Sequence, residues 1–572
     1  MLPLKILKDV IKKYKLCSAN ELRLATTKAE KQGKELLDVL TADQILNEQE
    51  LYEKIGLYLE IPYIALKGKE IKKDILNMVP GPVAGTHQVI AFEKEKDQIK
   101  LAMTDPTDIQ TIEFLRRKTG LEPKVYITSP DDLKQTLRLF HSELEKDLEI
   151  IQEAGDSQGG KELKKVAEEL PIINIANTVL EHAVYEGASD IHLEPYEKQI
   201  VVRYRIDGIL KQVMTLPKTV QNGLIARIKI LSNLKIDEHM IPQDGRFKIQ
   251  LEDDKIAFRV SIIPVYDGEK IVMRILHEGA KPLNLEQLGF LPSVGKQIEQ
   301  AIKKPHGMIL VTGPTGSGKT TTLYSILGIL NKPGVNICTI EDPIEYRISG
   351  INQSQINPKA GFTFASGLRS FLRQDPDIIM VGEIRDQETA EIAIHAAMTG
   401  HLVLSTLHTN DAPTTLPRLI DMGVPPFLVA FTTNIVAAQR LVRKICPHCK
   451  KEYKLDKDAA DELAKVFDVK KMNALFKKNL PRQKGTSSKT MTFYQGAGCR
   501  RCGQTGYKGR VGIYEVLPID EALTKKINQR ATADDVKQYA RAQGMITIFE
   551  DGLIKSKMGI TTISEILRVT KD

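Results

Sequence analysis

The chain has 572 residues, more than one hydrophobic core supports, so we expect several domains. Its hydrophobic content of 42% and charged content of 27% are typical of globular proteins in water, and no apolar run approaches the length of a membrane span. The first residues, Met1–Lys5, do not begin a signal peptide, and the net charge of +8 is a mild excess, so we expect a cytoplasmic protein with a solvated, slightly basic surface.

The first predicted domain comprises residues 1–145, where helical stretches precede an apolar segment that ends in Leu101–Asp108. Charges dominate the next stretch, residues 146–169, and the run Gly155–Gly160 interrupts any continuous helix. We therefore predict a flexible linker at 146–169.

Residues 170–280 read as a helix followed by strands, which predicts a small α+β (PAS-like) domain. The alternating strand Ile200–Ile206 runs into the turn Asp207-Gly208, as in a β-hairpin. Any single arginine here is best explained as a solvated strand residue, but together they offer guanidinium groups suited to phosphoryl oxygens. The arginines are Arg203, Arg205, Arg227, Arg246, Arg259 and Arg274.

A P-loop follows the apolar run Met308–Thr312 and precedes a predicted helix, Thr321–Leu330. In this pattern glycine N–H groups converge on a triphosphate, the lysine reaches its β- and γ-phosphates, and the final threonine suits Mg²⁺. The predicted nucleotide-binding residues are Gly313, Pro314, Thr315, Gly316, Ser317, Gly318, Lys319 and Thr320. A chance Gly-rich turn is the alternative, and the complete motif in this setting disfavours it.

Strands at 308–311, 337–340, 378–381 and 402–405 alternate with helices, which predicts a RecA-like parallel sheet. Three carboxylates follow the second strand: Glu341, Asp342 and Glu345. Glu383 follows the third, but Gly382 stands where most P-loop proteins carry a Mg²⁺-binding aspartate. His401 and His408 bracket the fourth strand. We expect the P-loop and the acidic strand ends to gather at the carboxyl edge of the sheet, where ligands bind in such folds.

Four of the six cysteines form two CxxC pairs, Cys446 with Cys449 and Cys499 with Cys502. Thiolates in this pattern suit a structural Zn²⁺ ion. A redox dithiol is the competing interpretation. The Lys-rich stretch Lys484–Lys489 between the pairs is predicted to loop out.

These segments resemble the secretion ATPases that drive type IV pilus extension and type II secretion, whose Asp box, atypical Walker B motif and His box match residues 340–346, 372–386 and 400–409. The resemblance extends upstream through Gly187–Pro195 and Val202–Gly208, and it is close over 170–572. It implies an N-terminal adaptor domain at 1–145 and a RecA-like ATPase domain at 285–572. That domain includes a zinc-binding subdomain at 446–515 and C-terminal helices at 516–572.

The resemblance further implies a hexameric motor that hydrolyses ATP with Mg²⁺ at the cytoplasmic face of the inner membrane, peripheral to it. The expected partners are an inner-membrane platform protein and pilus or secretion alignment proteins. Glu345 would orient or deprotonate the attacking water, and Glu383 would act through Mg²⁺ or its water shell. Arg205 and Arg227 would reach a γ-phosphate, and His401 and His408 would sense phosphate or transmit conformation. Pilus extension is favoured over type II secretion.

Other functions fit less well. A nucleic-acid translocase would need basic tracts interleaved with aromatic residues, but the chain lacks Trp and its aromatic content is 5%. The acidic residues disfavour a scaffold that binds nucleotide without hydrolysis. Some adaptor domains of the family bind cyclic di-GMP through Arg-Leu-Gly repeats, but this chain has Leu4–Leu7 and Lys34–Leu37 at the comparable places.

Overall fold

The computed structural model describes residues 4–32, 36–42, 45–67, 69, 71–133, 136, 170–251, 254–277, 282–454, 474–477, 479 and 492–570. The chain forms two compact units, Met1–His277 and Glu278–Asp572. The predicted linker 146–169 and the stretch Lys484–Lys489 lie outside the described residues.

The first unit begins with helices that share an apolar core: Leu4–Tyr14, Ala19–Gln32, Leu36–Ala42 and Glu48–Leu59. A second layer holds the helices Lys73–Leu76, Gly81–His87 and Ile109–Thr119 and three strands, β1 (Val89–Glu95), β2 (Gln98–Met103) and β3 (Glu122–Ile127). Strand β2 pairs antiparallel with β1 and parallel with β3.

A six-stranded antiparallel sheet completes this unit, in the order β6-β5-β4-β9-β8-β7. Its strands are β4 (Ala188–Pro195), β5 (Gln199–Ile206), β6 (Ile209–Pro217), β7 (Gln243–Leu251), β8 (Asp254–Val265) and β9 (Gly268–His277). The helices Leu170–Tyr185 and Gln221–Leu231 and the 3₁₀ turn Lys218–Val220 contribute to its apolar core. The predicted hairpin at Asp207-Gly208 is present between β5 and β6, and both turn residues have positive φ.

The second unit is built on a seven-stranded sheet in the order β12-β11-β13-β14-β10-β15-β18. Its strands are β10 (Gly307–Thr312), β11 (Ile337–Glu341), β12 (Asn352–Gln355), β13 (Ile378–Val381), β14 (Leu402–Leu407), β15 (Thr433–Ile445) and β18 (Tyr507–Pro518). Neighbouring strands are parallel except β18, which runs antiparallel to β15. The four predicted core strands are all present and buried, as expected for a sheet covered on both faces.

Helices cover both faces of this sheet. They are Leu285–Leu288, Pro292–Ile302, Lys319–Leu330, Phe364–Phe371, Gln387–Met398, Thr415–Asp421, Pro426–Thr432, Glu521–Asn528, Ala533–Ala542, Ile548–Lys557 and Ile563–Thr570, with 3₁₀ turns at Pro358–Ala360 and Arg500–Cys502. A small hairpin of β16 (Lys450–Lys454) and β17 (Thr492–Gly496) stands beside the cysteines. Several helices begin at a Thr or Asp whose side chain accepts a backbone N–H of the first turn, which fixes their start.

Candidate functional site

The P-loop Gly313–Thr320 connects β10 to the helix Lys319–Leu330. Gly313, Gly316 and Gly318 have φ angles of 143°, 78° and 88°, a region that L side chains rarely adopt. A Cβ atom at Gly313 would lie 2.5 Å from the carbonyl oxygen of Gln439. The glycines therefore allow the loop to curl around the helix N-terminus, where free N–H groups and the helix dipole favour an anion.

Lys319 is the first residue of that helix, and its ammonium group stays within the loop. Lys319 Nζ donates to the carbonyl oxygens of Gly313 (2.9 Å) and Pro314 (3.2 Å). Burial lowers the pKa of Lys319, and the negative charge of Glu383 opposes this shift. Residues 314–316 at the tip of the loop are exposed, whereas Thr320 is half-buried beside Lys319. Cation and hydroxyl thus lie side by side at the base of an exposed loop.

A buried glutamine on β15 braces the P-loop from the neighbouring strand. Gln439 Nε2 donates to the carbonyl oxygen of Ser317 (2.7 Å), and Gln439 Oε1 accepts from the hydroxyl of Thr322 (2.8 Å). Ser317 Oγ is buried, and no described residue hydrogen-bonds to it. The amide of Gln439 thus holds both the loop and the helix that follows it.

Glu383 lies at the carboxyl end of β13 with two basic partners. Its carboxylate contacts Arg385 NH2 at 2.6 Å and His408 Nε2 at 3.1 Å. The preceding residue, Gly382, packs so closely that a Cβ atom there would lie 3.3 Å from the carbonyl oxygen of Ile340. A side chain at position 382 would therefore be in tight contact with the backbone of β11.

The carboxylates after β11 separate into two environments. Glu341 is buried, and its carboxylate accepts hydrogen bonds from Thr339 (2.6 Å), Tyr324 and Gln353. Burial raises the pKa of Glu341. Glu345, four residues later, is half-buried, and its carboxylate forms no hydrogen bond or ion pair within the described part of the chain. The Glu341 carboxylate is therefore occupied by hydrogen bonds within the core, whereas the Glu345 carboxylate is able to bind a ligand or a water molecule.

The two histidines that bracket β14 lie at opposite edges of the sheet. His408 follows the carboxyl end of β14, the same edge as the P-loop, because β10 and β14 are parallel with Thr312 opposite Leu407. His401 precedes the strand, and its Nδ1 lies 2.9 Å from the carbonyl oxygen of Ala396. Six residues of extended strand separate them, about 20 Å at 3.3 Å per residue. The structure thus brings His408, but not His401, to the P-loop edge.

Arg205 and Arg227 belong to the first unit. Arg205 contacts Asp190 Oδ2 (3.5 Å) and donates to the carbonyl oxygen of Gly208 (3.1 Å). The Nε atom of Arg227 is buried and has no hydrogen-bond partner among the residues described.

The four paired cysteines come together in the second unit. Their Sγ atoms all lie within 4.8 Å of one another, and the thiols of Cys446, Cys449 and Cys502 are buried. The backbone amides of Cys499 and Gly506 each donate to Cys502 Sγ at 3.2 Å, as amides do around metal-bound thiolates. Four converging sulfur atoms with N–H donors fit a tetrahedral Zn²⁺ site.

Sequence reasoning did not identify Gln439, which contacts the P-loop from more than one hundred residues away. One signal was present: Gln439 and Arg440 form a polar pair inside the apolar strand Ile435–Val442. Both side chains are nearly buried, at 1% and 9% exposure. Polar groups buried in this way usually have specific partners.

Comparisons with known proteins agree with this geometry. The family described as type II/IV secretion system protein matches residues 165–568, and the MshEN domain matches residues 59–146. The type IV pilus assembly ATPase PilB of Myxococcus xanthus is 41% identical over 98% of this chain and 98% of its own length. The type II secretion system ATPase E of Vibrio cholerae is 45% identical over 72% of this chain and 78% of its own length.

The ATPase DotB of Legionella pneumophila has a similar fold, with a TM-score of 0.50 at 23% identity over 69% of this chain and 95% of that protein. The predicted α/β, RecA-like fold and the predicted family are therefore confirmed. None of the helices in the described ranges is long and apolar enough to cross a membrane.

Proposed function

The chain belongs to the type II/IV secretion system protein family, and from this membership we propose that it is an ATP-hydrolysing motor that drives type IV pilus assembly. The supporting observation is the convergence of a complete P-loop, Lys319 and the Glu383–His408 pair at one edge of the sheet. The similarity to a pilus assembly ATPase over almost the whole length of both chains supports the biological role.

In this proposal residues Gly313–Thr320 hold the phosphates of ATP. The loop amides and Lys319 neutralise charge on the β- and γ-phosphates. The Thr320 hydroxyl and the Glu383 carboxylate are hard oxygen donors of the kind that Mg²⁺ prefers. When bound, Mg²⁺ offsets the negative charge that spreads over the phosphoryl oxygens.

Glu345 is the proposed residue that orients or deprotonates the attacking water. Phosphoryl transfer depends mainly on positioning and charge stabilisation, so a carboxylate without a competing partner is suited to this task. Glu383 is held from two sides by Arg385 and His408, which suits a fixed ligand of the metal or of its water shell better than a group that moves. The two glutamates thus take different roles.

Arg205 and Arg227 are proposed to reach the γ-phosphate when domains or neighbouring subunits close. A planar guanidinium fork neutralises several phosphoryl oxygens at once, and such arginines act mostly in the transition state. The proposed assembly is a hexamer that acts on an inner-membrane platform protein at the cytoplasmic face. Zn²⁺ at the four cysteines is the proposed structural cofactor, and His408 is the proposed phosphate sensor.

Type II secretion is the second candidate, because the type II ATPase of Vibrio cholerae is more identical over the region it shares than the pilus ATPase is over the full chain. Replacement of PilB in Myxococcus xanthus by this chain separates the two candidates. A pilus motor should restore surface pili, and the Lys319→Ala chain at equal abundance should not. A well-expressed chain that never restores pili, but restores protein secretion in a Vibrio cholerae strain without its ATPase E, would favour the second candidate.

A further inference from the structure

A buried carboxylate, Glu515, lies inside the apolar core on one face of the ATPase sheet. It is on β18 between Ile513 and Leu517, which belong to that core, and its exposure is only 3%. Glu515 Oε1 accepts the backbone N–H of Ala412 at 2.9 Å. The backbone amide of Ile548, at the start of the helix Ile548–Lys557, also favours its ionised form. Glu515 thus connects β18 to the segment around Ala412, which is distant in sequence.

The segment held at Ala412 is the one that follows β14 and contains His408. Within it Thr409 Oγ1 lies 2.8 Å from Thr415 Oγ1 and donates to the carbonyl oxygen of Asp411. The Thr409 amide donates to Thr312 Oγ1 at 2.8 Å, and Thr312 directly precedes the P-loop. His408, the neighbour of Thr409, contacts Glu383. A continuous set of short contacts therefore runs from Glu515 to both sides of the nucleotide site.

We propose that Glu515 is a positioning residue of the ATPase site: its carboxylate clamps the segment 408–415 and thereby holds His408 and the start of the P-loop in place. This inference rests on the proposed ATPase function. A clamp on β18 also connects the C-terminal helices to the site, because Asp551 of the helix Ile548–Lys557 accepts the N–H of Tyr514, the neighbour of Glu515, at 2.8 Å.

The charge on this clamp depends on pH. Burial raises the pKa of Glu515 to about 7, and Asp411 acts in the same direction. The amides of Ala412 and Ile548 and the ammonium group of Lys537 oppose the shift, and the guanidinium group of Arg541 also interacts with the carboxylate. Above pH 7 the ionised carboxylate is a strong, charged acceptor for the Ala412 amide. Below pH 7 one oxygen carries a proton, so the clamp is weaker.

The same shift has a consequence for stability. Because the pKa of Glu515 is higher in the folded chain than its ordinary value of 4.5, the folded chain binds the proton more tightly than the unfolded chain. Its contribution to stability is therefore largest below pH 4.5 and is lost as the pH rises through about 7. At pH 8 a neutral glutamine at this position should be no less stable than the buried carboxylate.

Glu515→Gln tests the proposal, because the amide keeps the shape of the side chain but removes the charge that strengthens its hydrogen bond with the Ala412 amide. Misplaced reacting groups can cost on the order of 10²-fold in rate, and we expect kcat at pH 8 to fall by roughly 5- to 20-fold with KM for ATP changed less than about twofold. The rise of kcat through pH 7 should disappear in the variant. All other titratable groups are the same in both enzymes, so the difference between the two profiles isolates Glu515.

A matched control and a second readout distinguish positioning from general stability. Glu565→Gln breaks the contacts of another buried carboxylate with Arg443 and Arg568, so it should lower the unfolding temperature and leave the shape of the pH profile unchanged. Hydrogen exchange at the Ala412 amide should be at least about fivefold faster in Glu515→Gln at pH 8, while its unfolding temperature is not lower than that of the wild type.

Superimposable pH profiles with unchanged exchange at Ala412, in a wild type that hydrolyses ATP, would overturn the positioning role and leave the proposed function intact. A wild type without turnover would refute the proposed function, and the positioning role with it.

Discussion

The two edges of the ATPase sheet differ in how their polar groups are used. At the amino edge these groups satisfy each other: Asp377 accepts the amide of Asn336 at 2.7 Å, Lys304 contacts Asn434 at 3.2 Å, and His401 lies against a helix carbonyl. At the carboxyl edge Glu345 has no partner among the described residues, and Ser317 Oγ is buried without one. Polar groups without partners at one edge indicate where a ligand completes the network.

The largest difference in turnover is expected when one lysine is removed from each edge of the sheet. Lys319→Ala should abolish ATP turnover and leave the fold intact, because it deletes the cation that faces the phosphates. Lys304→Ala removes the same charge at the amino edge, and its turnover should stay within about twofold of the wild type, as for most surface substitutions. Steady-state phosphate release from both variants, with circular dichroism as the folding check, decides this. Near-normal activity of Lys319→Ala would refute the site.

The next largest effect on hydrolysis is expected at Glu345, whose carboxylate has no partner among the described residues. Glu345→Gln should keep ATP binding but lose hydrolysis by about 10²-fold or more, the scale of a general base. Nucleotide binding by fluorescence titration and single-turnover hydrolysis give the two quantities. Glu388→Gln, on an exposed glutamate paired with Arg369, is the control. If Glu383→Gln keeps ATP binding but loses hydrolysis, and Glu345→Gln does not, then Glu383 and not Glu345 acts on the attacking water.

His408 and His401 test the same difference between the two edges, with a smaller expected effect on kcat. His408→Ala removes one of the two groups that hold Glu383, and loss of such a supporting contact typically costs about 10- to 100-fold, so we expect roughly tenfold lower kcat. His401→Ala should change kcat by less than about twofold, because its ring caps a helix end at the other edge. Equal losses in the two variants, measured at saturating ATP, would contradict the assignment of the site to one edge.

The cysteine cluster should have the smallest effect on turnover and a clear effect on stability. One Zn²⁺ per chain is expected by metal analysis, and its removal should destabilise the region 446–515, because structural zinc contributes folding free energy. Cys446→Ser should lower the unfolding temperature more than Cys17→Ser, whose thiol is outside the cluster. Absence of zinc together with a Cys446–Cys449 disulfide would favour the redox interpretation.

The parts of the site that the sequence predicted are those encoded by short spacing. The P-loop and the two CxxC pairs specify their own geometry within a few residues, so they could be located before the structure. The separation of His401 from His408 was also implied by the extended strand between them, but the family motif groups them together. Glu341 is buried and hydrogen-bonded, whereas Glu345 has no partner among the described residues. This difference depends on the direction in which the chain turns after β11, which local sequence does not specify.

The contacts that support the site were not predictable in the same way. Gln439 meets Ser317 and Glu515 meets Ala412 across more than one hundred residues of sequence, and these pairs exist only because β15 and β18 close the sheet beside β10. No local spacing encodes them. A buried polar residue in an apolar strand shows that a partner is required, but not which one.

The most direct test of an ATP-hydrolysing site is phosphate release from ATP by the purified chain, with Mg²⁺ and again with the metal chelated. We expect turnover that needs Mg²⁺ and that falls to the level of Lys319→Ala when the metal is removed. Release no faster than from the Lys319→Ala chain, in a folded protein supplied with Mg²⁺, would contradict an ATP-hydrolysing site at the carboxyl edge of the sheet.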